Sequence, residues 1–268
     1  MSPRESPGRP ARVTFLGTGT SAGVPVIGCD CSTCRSDDPR DQRLRPSIIV
    51  EVNGGGRLLV DAATDLRQQA LAHGIDRIDA LLFTHAHADH VFGLDDTRRF
   101  TMLSGEPLPC YATADTWKSL RQTFSYAFEP PQQGGGVPRL APREINGPFE
   151  CAGLRVVPVP LWHGRLQILG FRFGAFAYLT DCNGLPEEAW ALLEGVDTLV
   201  IDALRNRPHS THFTVAEALE AIVRIAPRRA YLTHICHDLP HAATNMRLPG
   251  GVELAYDGLV LDTLVEAS

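Results

Sequence analysis

The chain of 268 residues has almost no lysine and no long apolar run. Lys118 is its only lysine, and 25 basic residues against 31 acidic ones give a net charge of −6 at pH 7. Proteins that bind nucleic acid need basic patches for the phosphates, so this balance argues against nucleic acid as the main partner. No stretch approaches the ~18 apolar residues of a membrane-spanning helix, so we expect no membrane partner.

The first residues also lack the features of an export signal. The segment MSPRESPGRPAR has charge and three prolines but no apolar core, so we predict a flexible tail over residues 1–11 and not a secretory signal. The cytoplasm is then the expected compartment, where thiols stay reduced. Seven cysteines is an odd number, which leaves at least one unpaired in a monomer and disfavours a disulfide framework.

Strand-like and helix-like segments follow one another along residues 12–268, which we predict to form a single domain. Eight runs rich in Val, Ile, Leu, Phe and Tyr, bounded by Gly, Pro or Asn, predict strands. They cover residues 12–19, 47–52, 57–62, 80–85, 154–161, 176–181, 198–203 and 229–234. Apolar residues at helical spacing predict helices over 64–74, 186–195 and 214–226. The last helix begins with a capping box, Thr214 and Glu217.

The order of these segments predicts an α/β protein built from two sheet layers. Residues 128–148 are loop-like by composition. Long loops of this kind are often functional, which would make the segment a lid or insertion near a site. The alternative is that the segment only separates the two halves of the chain.

The strongest chemical signal is THAHADH at residues 84–90. It follows the apolar stretch 80–83, so several nitrogen and oxygen donors lie where a strand ends and a loop begins. Imidazole suits Zn, Mn, Fe and Ni, and a carboxylate adds negative charge. Four donors within six residues therefore predict a metal site, and they are His85, His87, Asp89 and His90.

Further donors follow other strands. His163 comes after the strand at 154–161, Asp181 ends FAYLTD, and His234 ends RAYLTH. This order of donors resembles the metallo-β-lactamase superfamily of binuclear hydrolases, over roughly residues 12–260. The resemblance implies a four-layer αβ/βα sandwich with the metals at the edge of the sheets. Asp61, in the strand-ending VDA, also matches the family pattern, which implies that it supports the metal loop from behind.

The same resemblance implies how the metals are held. The implied ligands are His85, His87 and His163 for one metal, Asp89, His90 and His234 for the second, and Asp181 as the bridge. Two divalent ions, zinc or manganese, would then hold a hydroxide between them as the nucleophile. Two metals about 3.5–4 Å apart lower the pKa of water and neutralise charge in an in-line displacement. We assign Asp89 to the catalytic residues as well.

The stretch RPHSTHFTVAEAL at 207–219 places His212 two residues before the capped helix. It resembles the H-x-T-x-x-E-A segment with which phosphodiesterase branches, including tRNA 3′-processing nucleases, supply a histidine to the scissile phosphate. A departing alkoxide needs a proton, and a histidine that binds no metal has a suitable pKa to give one. The alternative is that His212 is a polar residue near a helix N-terminus. We predict no catalytic role for His209.

The stretch GTGTSAGVPVIGCDCSTC at 17–34 resembles the start of the PhnP-type cyclic phosphodiesterases of phosphonate breakdown. In that family three cysteines and a late histidine hold a structural zinc. The corresponding ligands here are Cys29, Cys31, Cys34 and His237. Cys236 is the rival fourth ligand, but in an extended segment its side chain shares a face with His234, so we favour His237. PqqB, a coenzyme PQQ synthesis protein, is similar in this opening but departs from a full HxHxDH.

The leading hypothesis is a binuclear phosphodiesterase that hydrolyses a small cyclic phosphate, such as a ribosyl 1,2-cyclic phosphate, with His212 as general acid. One alternative is a tRNA 3′-processing-type ribonuclease, which the acidic balance disfavours. Another is a PqqB-like protein that binds a metal or metabolite without hydrolysis. A thioesterase of the glyoxalase II kind lacks the cysteine site, a β-lactamase is normally exported, and a flavodiiron protein needs glutamate in place of His87. Family resemblance also suggests a homodimer.

Overall fold

A computed structural model describes residues 8–129 and 136–266. They form two seven-stranded sheets that pack face to face, with helices on both outer surfaces. The predicted four-layer αβ/βα sandwich is therefore confirmed. None of the helices in these two ranges is long and apolar enough to cross a membrane.

The first sheet takes most of its strands from the N-terminal half of the chain. They are β1 (Arg9–Gly17), β2 (Ser47–Val52), β3 (Arg57–Val60), β4 (Ala80–Leu82), β5 (Leu108–Ala112), β6 (Leu140–Glu144) and, from the end of the chain, β14 (Val260–Val265), in the spatial order β14-β1-β2-β3-β4-β5-β6. The helices are α1 (Leu66–Ala72), α2 (Ala88–Val91), α3 (Arg98–Ser104) and α4 (Ala114–Thr123), with 3-10 turns at Pro39–Asp41, Leu94–Thr97 and Ser125–Ala127.

The second sheet comes from the C-terminal half. Its strands are β7 (Phe149–Cys151), β8 (Leu154–His163), β9 (Leu166–Phe173), β10 (Phe176–Leu179), β11 (Thr198–Asp202), β12 (Arg229–Thr233) and β13 (Val252–Leu254), and they lie side by side in sequence order. The helices are α5 (Glu187–Leu192), α6 (Val215–Ile225) and α7 (His241–Asn245). The capping box predicted at Thr214 and Glu217 is present at the start of α6.

The central strands are buried on both faces. Successive strand residues point to opposite sides of a sheet, so Val60 packs between the two sheets while Leu59 packs under the helices outside the first sheet. In the same way Val200 faces the interior of the sandwich and Ile201 faces the outer helices of the second sheet. This double burial explains why these strands are continuous apolar runs in the sequence.

All eight predicted strands and all three predicted helices are present, with ends that differ by a few residues. Six further strands escaped prediction because each is very short or is interrupted by proline, glycine or a charged residue. They are β5, β6, β7, β9, β13 and β14.

Two predicted boundaries change. β1 begins at Arg9 and pairs with β14, so residues 9–11 are part of a strand and not of a tail, while residues 1–7 lie outside the described residues. The segment predicted as a loop over 128–148 contains β6, which pairs with β5 and extends the first sheet. Residues 130–135 lie outside the described residues, and the prediction of a lid there stays a prediction.

The fold brings several strand ends to one place. β3, β4 and β5 are parallel to one another in the first sheet, and β10, β11 and β12 are parallel in the second. Because the carboxyl ends of parallel strands lie at the same edge of a sheet, the side chains that follow these strands are brought close together.

Candidate metal centre

The HAHADH segment begins in the connection after β4 and continues into α2. His85, Asp89 and His90 are buried, whereas His87 is exposed. The ring centroids of His85 and His87 are 4.5 Å apart, and those of His85 and His90 are 4.3 Å apart. Hydrophobic residues on either side hold this short loop in place, because Phe83 and Val91 both pack into the core beneath the helices of the first sheet.

Asp181, which the second sheet contributes, lies at the centre of the donors from both sheets. Its carboxylate oxygens are 2.8 Å from His85 Nε2, 3.3 Å from His90 Nε2 and 3.4 Å from His163 Nδ1. The Nε2 atom of His234, which follows β12, lies 3.6 Å from the same carboxylate. Asp181 therefore contacts donors from both implied ligand sets, as a bridging ligand must.

The structure brings the predicted donors together in groups whose ligating atoms lie within 4.8 Å of one another. One group is His85, His87, His163 and Asp181, and a second is Asp89, His90 and His234. A third group combines Asp181 and His234 with Asp202 and His212. The first two groups correspond to the two metal positions that the family resemblance implies.

These side chains also fit a divalent ion chemically. His85 Nε2, His90 Nε2 and Asp181 Oδ1 are buried and make no hydrogen bond within the described residues. Leaving buried polar atoms without a partner costs about 1–3 kcal/mol each, and metal coordination would satisfy them. The mixture of imidazole and carboxylate suits zinc or manganese.

The pKa shifts of His85, His163 and Asp181 favour metal binding as well. Burial lowers the pKa of His85 and lowers the pKa of His163 to about 4, so both rings are neutral at pH 7. Burial alone would raise the pKa of Asp181, but His234 and the other histidines around its carboxylate hold that pKa well below its ordinary value. Neutral imidazole and ionised carboxylate are the forms that bind metals.

Asp61 lies directly behind the histidine loop. Its carboxylate accepts hydrogen bonds from Thr84 N and Thr84 Oγ1, both at 2.8 Å, and from His90 Nδ1 at 2.7 Å. Because Nδ1 of His90 donates to Asp61, Nε2 is the nitrogen left free on the side of Asp89 and Asp181. This is the supporting position that the sequence pattern implied.

Replacing Asp61 with Asn should weaken metal binding by about 10–100-fold, the usual effect of losing a carboxylate that orients a ligating histidine. The measurement is the metal content of purified protein after dialysis against graded chelator. Asp79→Asn is the matched control, since Asp79 also accepts hydrogen bonds, from Arg57 N and Arg77 Nη2, but lies before β4. Equal metal retention in Asp61→Asn and the control would contradict the role of Asp61.

Three site residues have a left-handed backbone. The φ angles are 63° at Asp61, 60° at Asp181 and 58° at His234. Each lies within two residues of a strand end, where the turn directs the side chain away from the strand. Non-glycine residues in this region cost about 1–3 kcal/mol each and concentrate at functional sites. At these three positions the strained backbone coincides with the predicted site.

Asp202 is a site residue that sequence reasoning missed. It is fully buried at the end of β11, and it accepts a hydrogen bond from Phe213 N at 2.9 Å. Its other oxygen lies 3.4 Å from His234 Nδ1 and 3.5 Å from His212 Nδ1. A signal was present, because TLVID ends on an aspartate in the same way that FAYLTD ends on Asp181.

His212 lies inside the site and not at its margin. Its Nδ1 is 3.0 Å from Asp181 Oδ1, and its ring stacks on His234 with centroids 4.7 Å apart. Burial alone would lower the pKa of His212, but the carboxylates of Asp181 and Asp202 beside its Nδ1 outweigh it and raise the pKa to about 10. The ring therefore carries a proton at neutral pH. His209 is exposed, with its ring centroid 4.9 Å from that of His212.

The cysteine-rich loop forms a separate candidate metal site. The sulfurs of Cys29, Cys31 and Cys34 lie 3.2, 3.5 and 3.5 Å from His237 Nδ1. In a tetrahedral site with Zn–S near 2.3 Å and Zn–N near 2.0 Å, sulfur and nitrogen are about 3.5 Å apart. A hydrogen bond from the Cys34 backbone lowers the pKa of Cys31 to about 7, which favours the thiolate that a metal needs. The four side chains fit a zinc ion.

Cys236 lies outside this group, but not for the reason that strand alternation suggested. Its sulfur accepts a hydrogen bond from Asp238 N at 3.3 Å. The backbone turns at His234, where φ is positive, and residues 237–238 form a turn. The segment is therefore not extended, and the alternation argument does not apply to it. All seven cysteines lie within the described ranges and are free thiols.

A buried arginine also holds the segment after His234. The guanidinium of Arg43 donates to Cys236 O at 2.9 Å and to Leu239 O at 2.6 Å, and it pairs with Asp41 at 3.1 Å. Since the Arg43 side chain is completely buried, loss of these bonds would leave a charge without partners, which is strongly unfavourable. The segment that carries His234 is thus held from two sides, by the cysteine site and by Arg43.

Comparisons with known proteins agree with the fold. A sequence profile described as "Beta-lactamase superfamily domain" matches residues 56–235. A crystal structure described as a new diphosphatase from the PhnP family is 42% identical, with a TM-score of 0.90, and the alignment covers 96% of this chain and 98% of that one.

Two curated relatives carry other names. An octanoyltransferase of Porphyromonas gingivalis is 39% identical over 251 residues, which cover 92% of this chain and 51% of the relative. This chain therefore spans about half the length of that protein. Coenzyme PQQ synthesis protein B of Methylorubrum extorquens is 30% identical over 226 residues, which cover 71% of this chain and 72% of the relative.

Proposed function

Because this chain belongs to the beta-lactamase superfamily and is a metal-dependent hydrolase, we propose that it is a binuclear phosphodiesterase. Its substrate is a small cyclic phosphodiester such as a ribosyl 1,2-cyclic phosphate. The observation that carries the proposal is His212, a buried histidine whose Nδ1 lies 3.0 Å from Asp181 Oδ1, at the bridging position. Its proton suits the expulsion of an alkoxide from phosphorus. Similarity to a PhnP-family diphosphatase also supports phosphate chemistry.

The chain's own residues prepare this reaction. Two divalent ions held by the two donor groups would supply an activated water and neutralise charge on the phosphate. Asp61 orients His90, and Asp181 lies between the two groups. Asp202 and Asp181 contact His212 at Nδ1, so Nε2 is the nitrogen from which His212 gives its proton to the leaving oxygen.

The resident metals and the partners belong to the same proposal. We expect two zinc or manganese ions in the active site and one zinc at the cysteine site, which makes about three metals per chain by elemental analysis. The expected partner is a small phosphodiester of phosphonate metabolism, with no nucleic acid and no membrane. The proposal also includes a homodimer and a cytoplasmic location.

The experiment that tests the proposal is a hydrolysis panel with the metal-loaded protein. The substrates are cyclic ribose phosphates, bis(p-nitrophenyl) phosphate, a dinucleoside diphosphate, a tRNA precursor and an octanoyl thioester. We expect kcat/KM for a cyclic ribose phosphate to reach the ordinary enzyme range of about 10⁴–10⁸ M⁻¹ s⁻¹. Preference for the tRNA precursor would show a processing ribonuclease, and a metal-loaded protein inert on every substrate would show a PqqB-like binding protein.

A second candidate is hydrolysis of an octanoyl thioester, which the similarity to an octanoyltransferase favours. The site itself argues against it. A thiol has a pKa of about 8.5, so a thiolate departs readily without a proton. Thioester hydrolysis would therefore not need the buried His212 as a proton donor. The thioester in the panel decides between the two candidates.

A further inference from the structure

We propose that Asn183 is a positioning residue, whose side-chain amide sets the place of His212 relative to the metal-ligand candidate His163. Asn183 comes two residues after Asp181, on the connection between β10 and α5. The inference deepens the proposed function and rests on the role that this function gives to His212.

The amide of Asn183 bridges two loops of the site. Its oxygen accepts a hydrogen bond from Gly164 N at 2.8 Å, in the turn directly after His163. Its Nδ2 donates to Ser210 O at 2.9 Å, two residues before His212. The backbone of Asn183 is itself anchored, since its N–H donates to Trp162 O at 2.8 Å. One side chain therefore connects the His163 turn to the His212 loop.

The two loops approach each other very closely beside this bridge. His163 Nδ1 donates to Thr211 O at 3.0 Å, and the ring centroids of His163 and His212 are 5.0 Å apart. Gly164 has a positive φ of 63°, and a Cβ placed on it would lie 2.9 Å from Thr211 Cγ2. Both the positive φ and the lack of space at residue 164 favour glycine, so the two loops approach closely here.

The loop from 203 to 213 connects β11 to α6 and has little regular structure. Its downstream end is held by Phe213 N, which contacts Asp202 Oδ2 at 2.9 Å and Cys182 O at 2.8 Å. The Asn183 bridge holds the loop on the other side of His212, at Ser210. Proton transfer depends on short distances, and a misplacement of about 1 Å can cost a factor of 10².

Two variants separate the two hydrogen bonds of the bridge. Asn183→Ala removes both, whereas Asn183→Asp keeps an oxygen for Gly164 N but offers no N–H to Ser210 O. The matched control is Asn245→Ala. Asn245 is also half-buried, accepts from Leu254 N at 2.7 Å and lies 2.9 Å from His241 Nε2, but it joins α7 to β13.

The test compares an alkyl phosphodiester, whose leaving oxygen needs a proton, with a p-nitrophenyl phosphodiester, whose leaving oxygen does not. We expect Asn183→Ala and Asn183→Asp to lower kcat on the alkyl ester by about 10–100-fold and kcat on the p-nitrophenyl ester by less than about threefold. KM and metal content should stay near the wild-type values. Combined with His212→Ala, either variant should add almost nothing, because the position of an absent acid cannot matter.

Hydrogen exchange gives a readout that does not depend on turnover. Amides of residues 209–213 should exchange faster in Asn183→Ala than in the wild type and in Asn245→Ala. Equal losses on both esters, additive losses with His212→Ala, or the same behaviour in Asn245→Ala would overturn the inference. If the protein hydrolyses no phosphodiester at all, the proposed function fails, and unchanged exchange at 209–213 in Asn183→Ala then refutes the positioning role separately.

Discussion

His212→Ala should lower kcat on an alkyl phosphodiester by about 10²–10⁴-fold, the usual contribution of a positioned acid, and lower kcat on a p-nitrophenyl ester by less than about tenfold. The difference arises because an alkoxide is a poor leaving group until it is protonated, whereas p-nitrophenolate departs as an anion. In the structure His212 is buried against Asp181 and Asp202, and its pKa of about 10 keeps the proton available at neutral pH.

The comparison is made from kcat values of the two esters at pH 7, with the metal content of each preparation measured in parallel. Metal analysis is needed because His212 contacts Asp181, and loss of metal would lower kcat on both esters. His209→Ala is the matched control, since this histidine lies close to His212 but is exposed, and its substitution should leave the ratio of the two rates unchanged. Equal losses on both esters in metal-replete His212→Ala would exclude the role of proton donor.

Cys34→Ser should remove one metal per chain and lower the melting temperature by about 10 °C or more, while two metals remain bound. Structural zinc contributes about 10–16 kcal/mol of binding free energy in zinc-finger peptides, and a change of 1 kcal/mol shifts the melting temperature of a large domain by about 2–4 °C. Cys34 is the buried sulfur of the three, and His237, which faces it, follows His234 by three residues. We expect reduced but measurable hydrolysis, because Arg43 still holds the segment at Cys236 O and Leu239 O.

Cys236→Ser is the matched control for this experiment. Cys236 is another buried thiol in the same region, but its sulfur contacts Asp238 N and lies outside the group of four. It should retain about three metals and a melting temperature close to the wild-type value. A Cys34→Ser protein that keeps all its metal would show that the cysteine site holds no zinc, and one that loses every metal would show that the two sites are not separate.

The sequence predicted an α/β fold of two sheet layers, the donors of HAHADH, and three of the donors at strand ends, but not Asp202. Strands buried on both faces are continuous apolar runs. For this reason the sequence predicted β3, β4, β10, β11 and β12. HAHADH places four donors within six residues, and Asp181 and His234 each follow such a run. These are local signals, carried by residue type and short spacing. The capping box at Thr214, which predicted the start of α6, is another local signal.

The remaining features depend on contacts between distant parts of the chain. Asp202 becomes a site residue only because β11 lies between β10 and β12, which brings it to His212 and His234. Asn183 meets Gly164 and Ser210 only after three loops have converged on one sheet edge.

The choice of His237 over Cys236 was decided by the turn that follows a left-handed His234, and not by the alternation expected of a strand. Sequence periodicity reports which face of an element is buried. The packing of two sheets determines which loops meet, and the hydrogen bonds between those loops then fix the nitrogen or oxygen that each side chain presents.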